Sequence, residues 1–459
     1  MENKKITVEK ILEICSGKLI LGDKNTEIIS YSNDTRTINF GDMYLGIKGE
    51  NTNGNLYVED AFQKGAIGCI VDDEIDENIL KKHNNKVIIK VENTIKAIQQ
   101  LAKYKRRLYN IPVIAVTGSV GKTSTKDIIA NVVSQEYKVL KTEGNFNNHI
   151  GLPLTLLKLK DHTAVVIEMG MNHFGEISLL TDIAKPTGCV ITNIGTSHIG
   201  NLGSRENILK AKLEILEGLQ EGGFVLINND NDLLNKWSKQ DNKNKIYTYG
   251  IENESDYVAN DINKKIGMSE FLIKENKIQV LVEGIHFVYN AICAYAVGQL
   301  LNINTDKIIK GIATFKLTGK RMDTQIIKNN IKIINDSYNA SYDSMKAALD
   351  VIGNSDANRK IAVLGNMLEL GEYTEQLHEK VGEEVAKNKI DILITVGEYA
   401  KKIAEKSKVM GVKQIFTFED IEEATQFLNN NIKEWDLILL KASNSMNFTK
   451  ILENLKKEV

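Results

Sequence analysis

The sequence is short of most features that would place it in a specialised class. Its net charge is only −2, which argues against a surface built mainly to bind nucleic acid. No apolar run approaches the roughly twenty residues that a membrane-spanning helix needs. The opening residues MENKKITVEKILEI are charged and amphipathic and lack the apolar core of a signal peptide. The four cysteines, Cys15, Cys69, Cys189 and Cys293, are far apart, form no CxxC and sit among apolar neighbours. They read as buried thiols in a reducing compartment, and the protein is expected in the cytoplasm. Internal repeats and low-complexity tails are absent. Arginine is scarce, standing only at Arg36, Arg106, Arg107, Arg205, Arg321 and Arg359, so an arginine beside a motif carries more weight than usual. What remains is an ordinary globular chain, 42% hydrophobic and 26% charged over 459 residues, long enough for roughly three domains of about 150 residues each.

The most informative stretch is Ile111–Thr125, IPVIAVTGSVGKTST. A β-branched apolar run stops at Thr117-Gly118, Gly121-Lys122-Thr123 follows, and apolar residues then recur at Ile128, Ile129, Val132 and Val133. That order predicts a buried strand, a glycine loop and a helix from Ser124 to Glu136. Glycines at 118 and 121 let successive backbone N–H groups, from Gly118 through Ser119, Val120 and Gly121 to Ser124, face one anion at the positive end of the helix. Lys122 would reach the β- and γ-phosphates of a nucleotide and the Thr123 hydroxyl would hold Mg2+. The general pattern GxxxxGK[ST] places a glycine at position 116, where this chain has Val116. The plainer reading is a glycine turn with no nucleotide.

The chain divides into three expected units, 1–110, 111–316 and 317–459. In the first, short strands and helices alternate, including a helix capped by Thr94, which implies a small α/β domain. There Ser32, Asp34, Thr35 and Arg36 (in SNDTR), with Lys48 and Gly49, form a cluster that could bind a phosphorylated, sugar-bearing ligand; a polar turn on a sheet rim accounts for it equally well. In the middle unit two more strands are expected, Thr163–Glu168 and Cys189–Ile194, the second running into Gly195-Thr196-Ser197-His198. Ligands gather at the carboxyl ends of strands in open parallel sheets, which makes Glu168 and His198 candidate Mg2+ ligands, a hard carboxylate and an imidazole. Either alone would more often be a structural residue. Lys210 and Lys212 lie in the next helix, and the pattern singles out neither. The last unit alternates β and α in a Rossmann-like way, but no GxGxxG follows its first strand, so a dinucleotide is not indicated.

Taken together, SNDTR with GIKGENTNG, VTGSVGKTST, EGNFNNHIGLPLTLL, VVIEMGMNHFGEI, ITNIGTSHIG, KAKLEI, NDSYNAS, LGNMLELG and LLKASNSM resemble the Mur ligases of peptidoglycan synthesis, nearly end to end and in order. The resemblance is nearest the branch that adds D-alanyl-D-alanine, since EMGMNHFGEI and NDSYNA are specific to it and the DNPR motif of the diaminopimelate-adding branch is absent. It implies an α/β, three-domain Mur ligase architecture, with a central P-loop ATPase-like parallel sheet and a C-terminal Rossmann-like domain. It also implies ATP and Mg2+, UDP-N-acetylmuramoyl-tripeptide and D-alanyl-D-alanine as substrates, a cytoplasmic enzyme of cell-wall synthesis, and a monomer. By matching position, Lys212 would be carbamylated to bridge a second Mg2+, Asn290 would read adenine, Arg321 would contact the γ-phosphate and Asp336 the ribose. Lys122, His198, Lys212 and Arg321 would then be the catalytic set, with Thr123, Glu168, His198 and Lys212 around the metal. The chain departs from the family's usual residues at Asn53, Asn55, Phe287, Asn366 and Asn444. Two other readings remain: a paralogue with a different acceptor or amine, and a non-catalytic nucleotide-binding regulator.

Overall fold

The computed structural model describes residues 4–265, 267–317, 319 and 321–458; Thr318 and Lys320, just before Arg321, lie outside them. The chain packs as two compact units, each assembled from separated segments. The first comprises Met1–Thr117, Glu136–Val190 and Leu213–Phe224, and the second Gly118–Gln135, Ile191–Lys212 and Val225–Val459.

In the first unit a five-stranded sheet runs in the order Lys18–Leu21, Val87–Lys90, Gly68–Val71, Asp42–Leu45, Ser30–Ser32. Its last four strands are parallel to one another and the first is antiparallel to Val87–Lys90. Strands 42–45 and 68–71 are buried along their whole length, as continuous apolar runs in parallel sheets are. Thr94 proves not to be the helix cap. Asn93 has the extended backbone of a cap and its side chain accepts from Lys96 N at 2.9 Å, whereas Thr94 is the first helical residue, fully buried, with a hydroxyl that finds no partner. The helix Thr94–Arg107 ends in two buried cations. Lys105 Nζ donates to Leu157 O at 2.7 Å. Arg106 donates to the carbonyls of Ala184, Tyr109 and Lys185 at 2.9, 2.7 and 3.2 Å, at the C-terminus of the helix Glu176–Ala184. Beyond it, Val139–Lys141, Ala164–Glu168 and Val113–Thr117 are adjacent parallel strands, the latter two wholly buried.

In the second unit the helix Lys122–Val133 packs against Ile285–Leu300 and Thr305–Ala313. Close approach there depends on glycine: a Cβ at Gly311 would lie 2.6 Å from Val132 Cα. Phe287, in the helix Ile285–Leu300, is 1% exposed. Strands Lys245–Gly250, Tyr257–Lys265, Met268–Ile273 and Asn276–Val280 follow one another in sheet order, the last two pairings antiparallel. A six-stranded sheet runs in the order Asp323–Ile326, Lys332–Asn335, Asp436–Lys441, Arg359–Gly365, Ile392–Val396, Gln414–Phe418, parallel except for its first strand. Ile333, Ile361, Val363, Ile394 and Leu440 on one face join Leu428, Ile451 and Leu455 of two helices in a single core. The alternate residues Ile334, Ala362, Leu364, Leu393 and Leu439 are buried too, so both faces are covered. The strand Gln414–Phe418 and the helix Ile421–Asn431 are additions to the sequence reading. All four cysteines are free and buried. No described helix is long and apolar enough to cross a membrane.

Candidate phosphate and metal site

The strand Val113–Thr117 runs straight into the glycine loop, and Gly121, at φ 80°, starts the helix Lys122–Val133. A helix leaves its first N–H groups without intrahelical acceptors, and with the helix dipole these make an anion site of Lys122, Thr123 and Ser124. Ser119 and Val120 are placed differently from the simple expectation of a row of N–H groups facing one anion. Ser119 N donates to Asn193 O and Val120 N to Asn193 Oδ1, both at 3.0 Å. Thr192 Oγ1 and Asn193 Nδ2 donate to Val120 O at 2.8 and 3.0 Å, and Gly195 N donates to Ser119 Oγ at 2.9 Å. The segment after the strand Gly188–Ile191 therefore fixes the shape of the loop. Gly118 is required at this contact, because a Cβ there would collide with Thr192 Oγ1 and its φ is +150°. Lys122 Nζ folds back on the loop, donating to Gly118 O at 2.9 Å and Ser119 O at 3.2 Å. Asn290, 7% exposed, lies beneath it, its Oδ1 accepting from Thr125 Oγ1 at 2.9 Å.

His198 sits in the same unit at φ 63°, at the start of the short helix Ile199–Leu202. Its Nδ1 is 2.7 Å from Glu369 Oε2. Lys212 is 1% exposed while Lys210 faces solvent, so burial separates two lysines that sequence pattern could not. Desolvation, then the nearby Lys122 ammonium, pushes the Lys212 amine well below the ordinary lysine value. Among the described residues no acidic group pairs with Lys212. A buried cation without a counter-charge, next to a second cation, is untenable as an ammonium. Such a group is a donor site that needs chemical conversion or a neutral state.

Arg321 stacks on the Tyr338 ring at 4.3 Å. Asp336 Oδ1 accepts from Met322 N at 3.1 Å, and its other oxygen pairs with Lys441, which is 2% exposed. Sequence reasoning missed that partner; it lies 105 positions away and has no local signature.

Glu168 belongs to the first unit. It ends its strand, is 2% exposed, and its Oε1 accepts from Asn147 Nδ2 at 2.7 Å. The candidate cluster in residues 32–49 lies at the carboxyl ends of two adjacent parallel strands, with Ser32 paired to Tyr44. Asp34 accepts from the Arg36 backbone N at 2.9 Å and from its guanidinium at 2.7 Å, and these bonds hold its carboxyl down to about 2. Arg36 itself points outward, 84% exposed. Thr35 opens the turn that carries Arg36, and Lys48 Nζ stands 3.5 Å from Asp73 with Gly49 N closing a turn onto Thr52 O at 2.8 Å. Asn53 and Asn55 bond to one another at 2.8 Å and brace Asp73 and Asp72. Asn366 Oδ1 accepts from Ala400 N at 2.9 Å, a bond an aspartate carboxylate would make equally.

Strand, glycine loop and lysine-threonine helix in a mixed α/β chain define a phosphate-loop protein. The particular family follows from comparison. The chain belongs to the Mur ligase family: its residues 27–106, 116–298 and 320–444 match models of the Mur ligase catalytic domain, the Mur ligase middle domain and the Mur ligase glutamate ligase domain. A UDP-N-acetylmuramoyl-tripeptide–D-alanyl-D-alanine ligase of Bacillus subtilis (strain 168) is 39% identical over 98% of each chain, and that of Escherichia coli (strain K12) is 31% identical over 88% of each. A MurF structure from Acinetobacter baumannii superposes with a TM-score of 0.88 at 27% identity over all of both chains. A MurF ligase from Thermotoga maritima in complex with ADP gives 0.80 at 27% identity, over 94% of this chain and 97% of that one.

Proposed function

We propose that the chain is an ATP-dependent amide ligase that joins D-alanyl-D-alanine to UDP-N-acetylmuramoyl-tripeptide in peptidoglycan precursor synthesis. The observation that carries this reading is 39% identity, end to end, with a Bacillus subtilis ligase of that name. The ADP bound in the Thermotoga maritima relative supports ATP as the nucleotide. The tripeptide carboxylate attacks the γ-phosphorus of ATP, the bond to the bridging oxygen breaks, and ADP leaves an acyl phosphate. The dipeptide amine then adds to the acyl carbon, loses its proton, and phosphate is expelled. Positioning and charge neutralisation supply the catalysis.

In this reading Lys122 and the N–H groups of Lys122, Thr123 and Ser124 hold the phosphates, the loop Gly118–Gly121 shapes their seat, and Arg321 neutralises the γ-phosphate. Asn290 reads adenine, Asp336 the ribose, and Ser32, Asp34, Thr35, Arg36, Lys48 and Gly49 the UDP moiety. Thr123, Glu168, His198 and Lys212 would hold Mg2+, which when bound draws charge from the phosphate oxygens. The hydroxyl and the carboxylate are hard oxygen donors of the kind Mg2+ prefers, with the His198 imidazole a softer addition to them. The buried, acid-free amine of Lys212 is the group that CO2 would convert, with loss of a proton, into an anionic oxygen ligand. Residues 1–110, 111–316 and 317–459 would serve the UDP substrate, ATP and the incoming amine. The chain would act as a cytoplasmic monomer.

The test is phosphate release with Mg·ATP, adding the two substrates singly and together. Release only with both, and a product heavier by the dipeptide, supports the ligase; release with another amine or nucleotide-sugar peptide means a paralogue. Lys122→Ala that kept full activity would overturn the phosphate-loop assignment. Lys212→Ala whose lost activity is not restored by short carboxylates would count against the carbamate.

A further inference from the structure

The loop Leu368–Tyr373 meets the turn Gly195–Gly203 through more contacts than a surface ion pair requires. His198 Nδ1 and Glu369 Oε2 are 2.7 Å apart. Gly200 N donates to Glu369 O at 3.1 Å, and Tyr373 Oη to Gly203 O at 2.7 Å. The turn is also held from the helix Tyr342–Gly353, where Asp343 Oδ2 accepts from Thr196 N and Thr196 Oγ1 at 2.8 and 3.0 Å. The approach requires glycine, since a Cβ at Gly200 would lie 2.5 Å from Gly371 N and 2.7 Å from Glu369 O. Both residues of the central pair, His198 and Glu369, hold φ 63°. A left-handed backbone is unusual for a residue with a side chain and persists where its surroundings over-determine it. An exposed ion pair alone contributes little; two strained residues facing each other across a glycine contact are a built feature.

We propose that Glu369 is a positioning residue for His198: it orients the imidazole and fixes its tautomer for metal binding. This rests on the reading of His198 as a metal ligand. A carboxylate offers no hydrogen, so the nitrogen facing Glu369 carries the proton and the lone pair is left on Nε2. Carboxylates that orient a ligating histidine in this way raise metal affinity about 10- to 100-fold. Because Glu369 arrives on a segment 171 positions from His198, metal affinity reports whether that segment is seated on the turn.

The experiment reads two quantities on the full chain: the His198 tautomer from 15N-histidine NMR without metal, and Mn2+ affinity in the presence of ADP from electron paramagnetic resonance. Glu369→Ala should give a mixture of tautomers and weaken Mn2+ about tenfold or more. Glu369→Gln, whose amide oxygen still accepts from Nδ1, should keep most of both. Gly200→Ala should lose affinity although the carboxylate is intact. If Glu369→Ala leaves tautomer and Mn2+ affinity within about twofold of the parent while His198→Ala weakens binding, the positioning role is overturned and the metal reading stands. If His198→Ala also binds Mn2+ normally, both fall.

Discussion

Replacing Lys212 with methionine should stabilise the metal-free protein, and by an amount that grows as the pH falls from about 10. The amine is 1% exposed, and desolvation together with Lys122 holds its folded-state pKa well below the ordinary value. In the unfolded chain the same group titrates near ~10.4. Below that pH the unfolded state binds a proton that the folded state does not, so folding loses about 1.4 kcal/mol per pH unit, until the pH reaches the folded-state value and the loss levels off. Methionine removes this dependence and, being of similar length, should cost less than about 1.5 kcal/mol in repacking. Urea unfolding of both proteins at several pH values between 7.5 and 10, with EDTA in CO2-free buffer, gives the difference directly. The four cysteines, whose thiol pKa values burial raises in the folded protein, titrate in this range in the unfolded chain, but they are common to both proteins, so the difference isolates Lys212. A stability difference that stayed flat with pH, or a parent more stable throughout, would refute the picture of a neutral buried amine.

Arg106→Met should destabilise the first unit by about 3 kcal/mol or more, since three carbonyls lose a charged donor at a helix C-terminus that favours a cation; Arg106→Lys should recover only part of this, lacking the guanidinium fork. Thermal unfolding checks both. His378 accepts from Met367 N at 3.0 Å and faces Thr374 O at 2.6 Å, and burial lowers its pKa. Its contribution is therefore complete above the unfolded value of about 6.5 and lost as the pH falls below it. His378→Phe should cost about 1–3 kcal/mol at pH 8, with the gap to the parent narrowing towards pH 5 in urea titrations. Lys441→Met leaves Asp336 without its ammonium and should cost about 3–5 kcal/mol; a double-mutant cycle with Asp336→Asn should show most of that loss to be coupling.

The phosphate loop was legible because every residue that makes it is local: a β-branched run, two glycines, lysine-threonine and a helical period. The strand end bearing Glu168 was legible for the same reason, whereas the strand expected to reach Ile194 ends at Ile191 and His198 stands instead at the start of the short helix Ile199–Leu202. Lys212 was not separable from Lys210, because burial is a property of tertiary packing and a helix lysine carries no mark of it. Asn193 braces the loop from 73 positions away, and its polar side chain reads in sequence as an ordinary turn residue. Thr94 was mistaken for a cap because Asn and Thr both suit that position and only the backbone dihedral decides. Strand Gln414–Phe418 was overlooked since it is partly exposed, with too little apolar alternation to stand out from the helices beside it.

The way the two compact units divide the chain bears on how the protein is made. The boundaries fall after residues 117, 135, 190, 212 and 224, so the first unit draws on residues up to Phe224 and the second reaches back to Gly118. A ribosome that has released the first 117 residues has not yet supplied the carbonyls of Leu157 and Ala184 to which Lys105 and Arg106 bond. The nascent segment must wait with two cations and much apolar sheet uncovered, and this is the interval in which long-range folds are exposed to aggregation. Expression of a fragment ending near residue 117 should therefore yield insoluble material, whereas the uninterrupted chain completes its first unit only after about half of it has been synthesised.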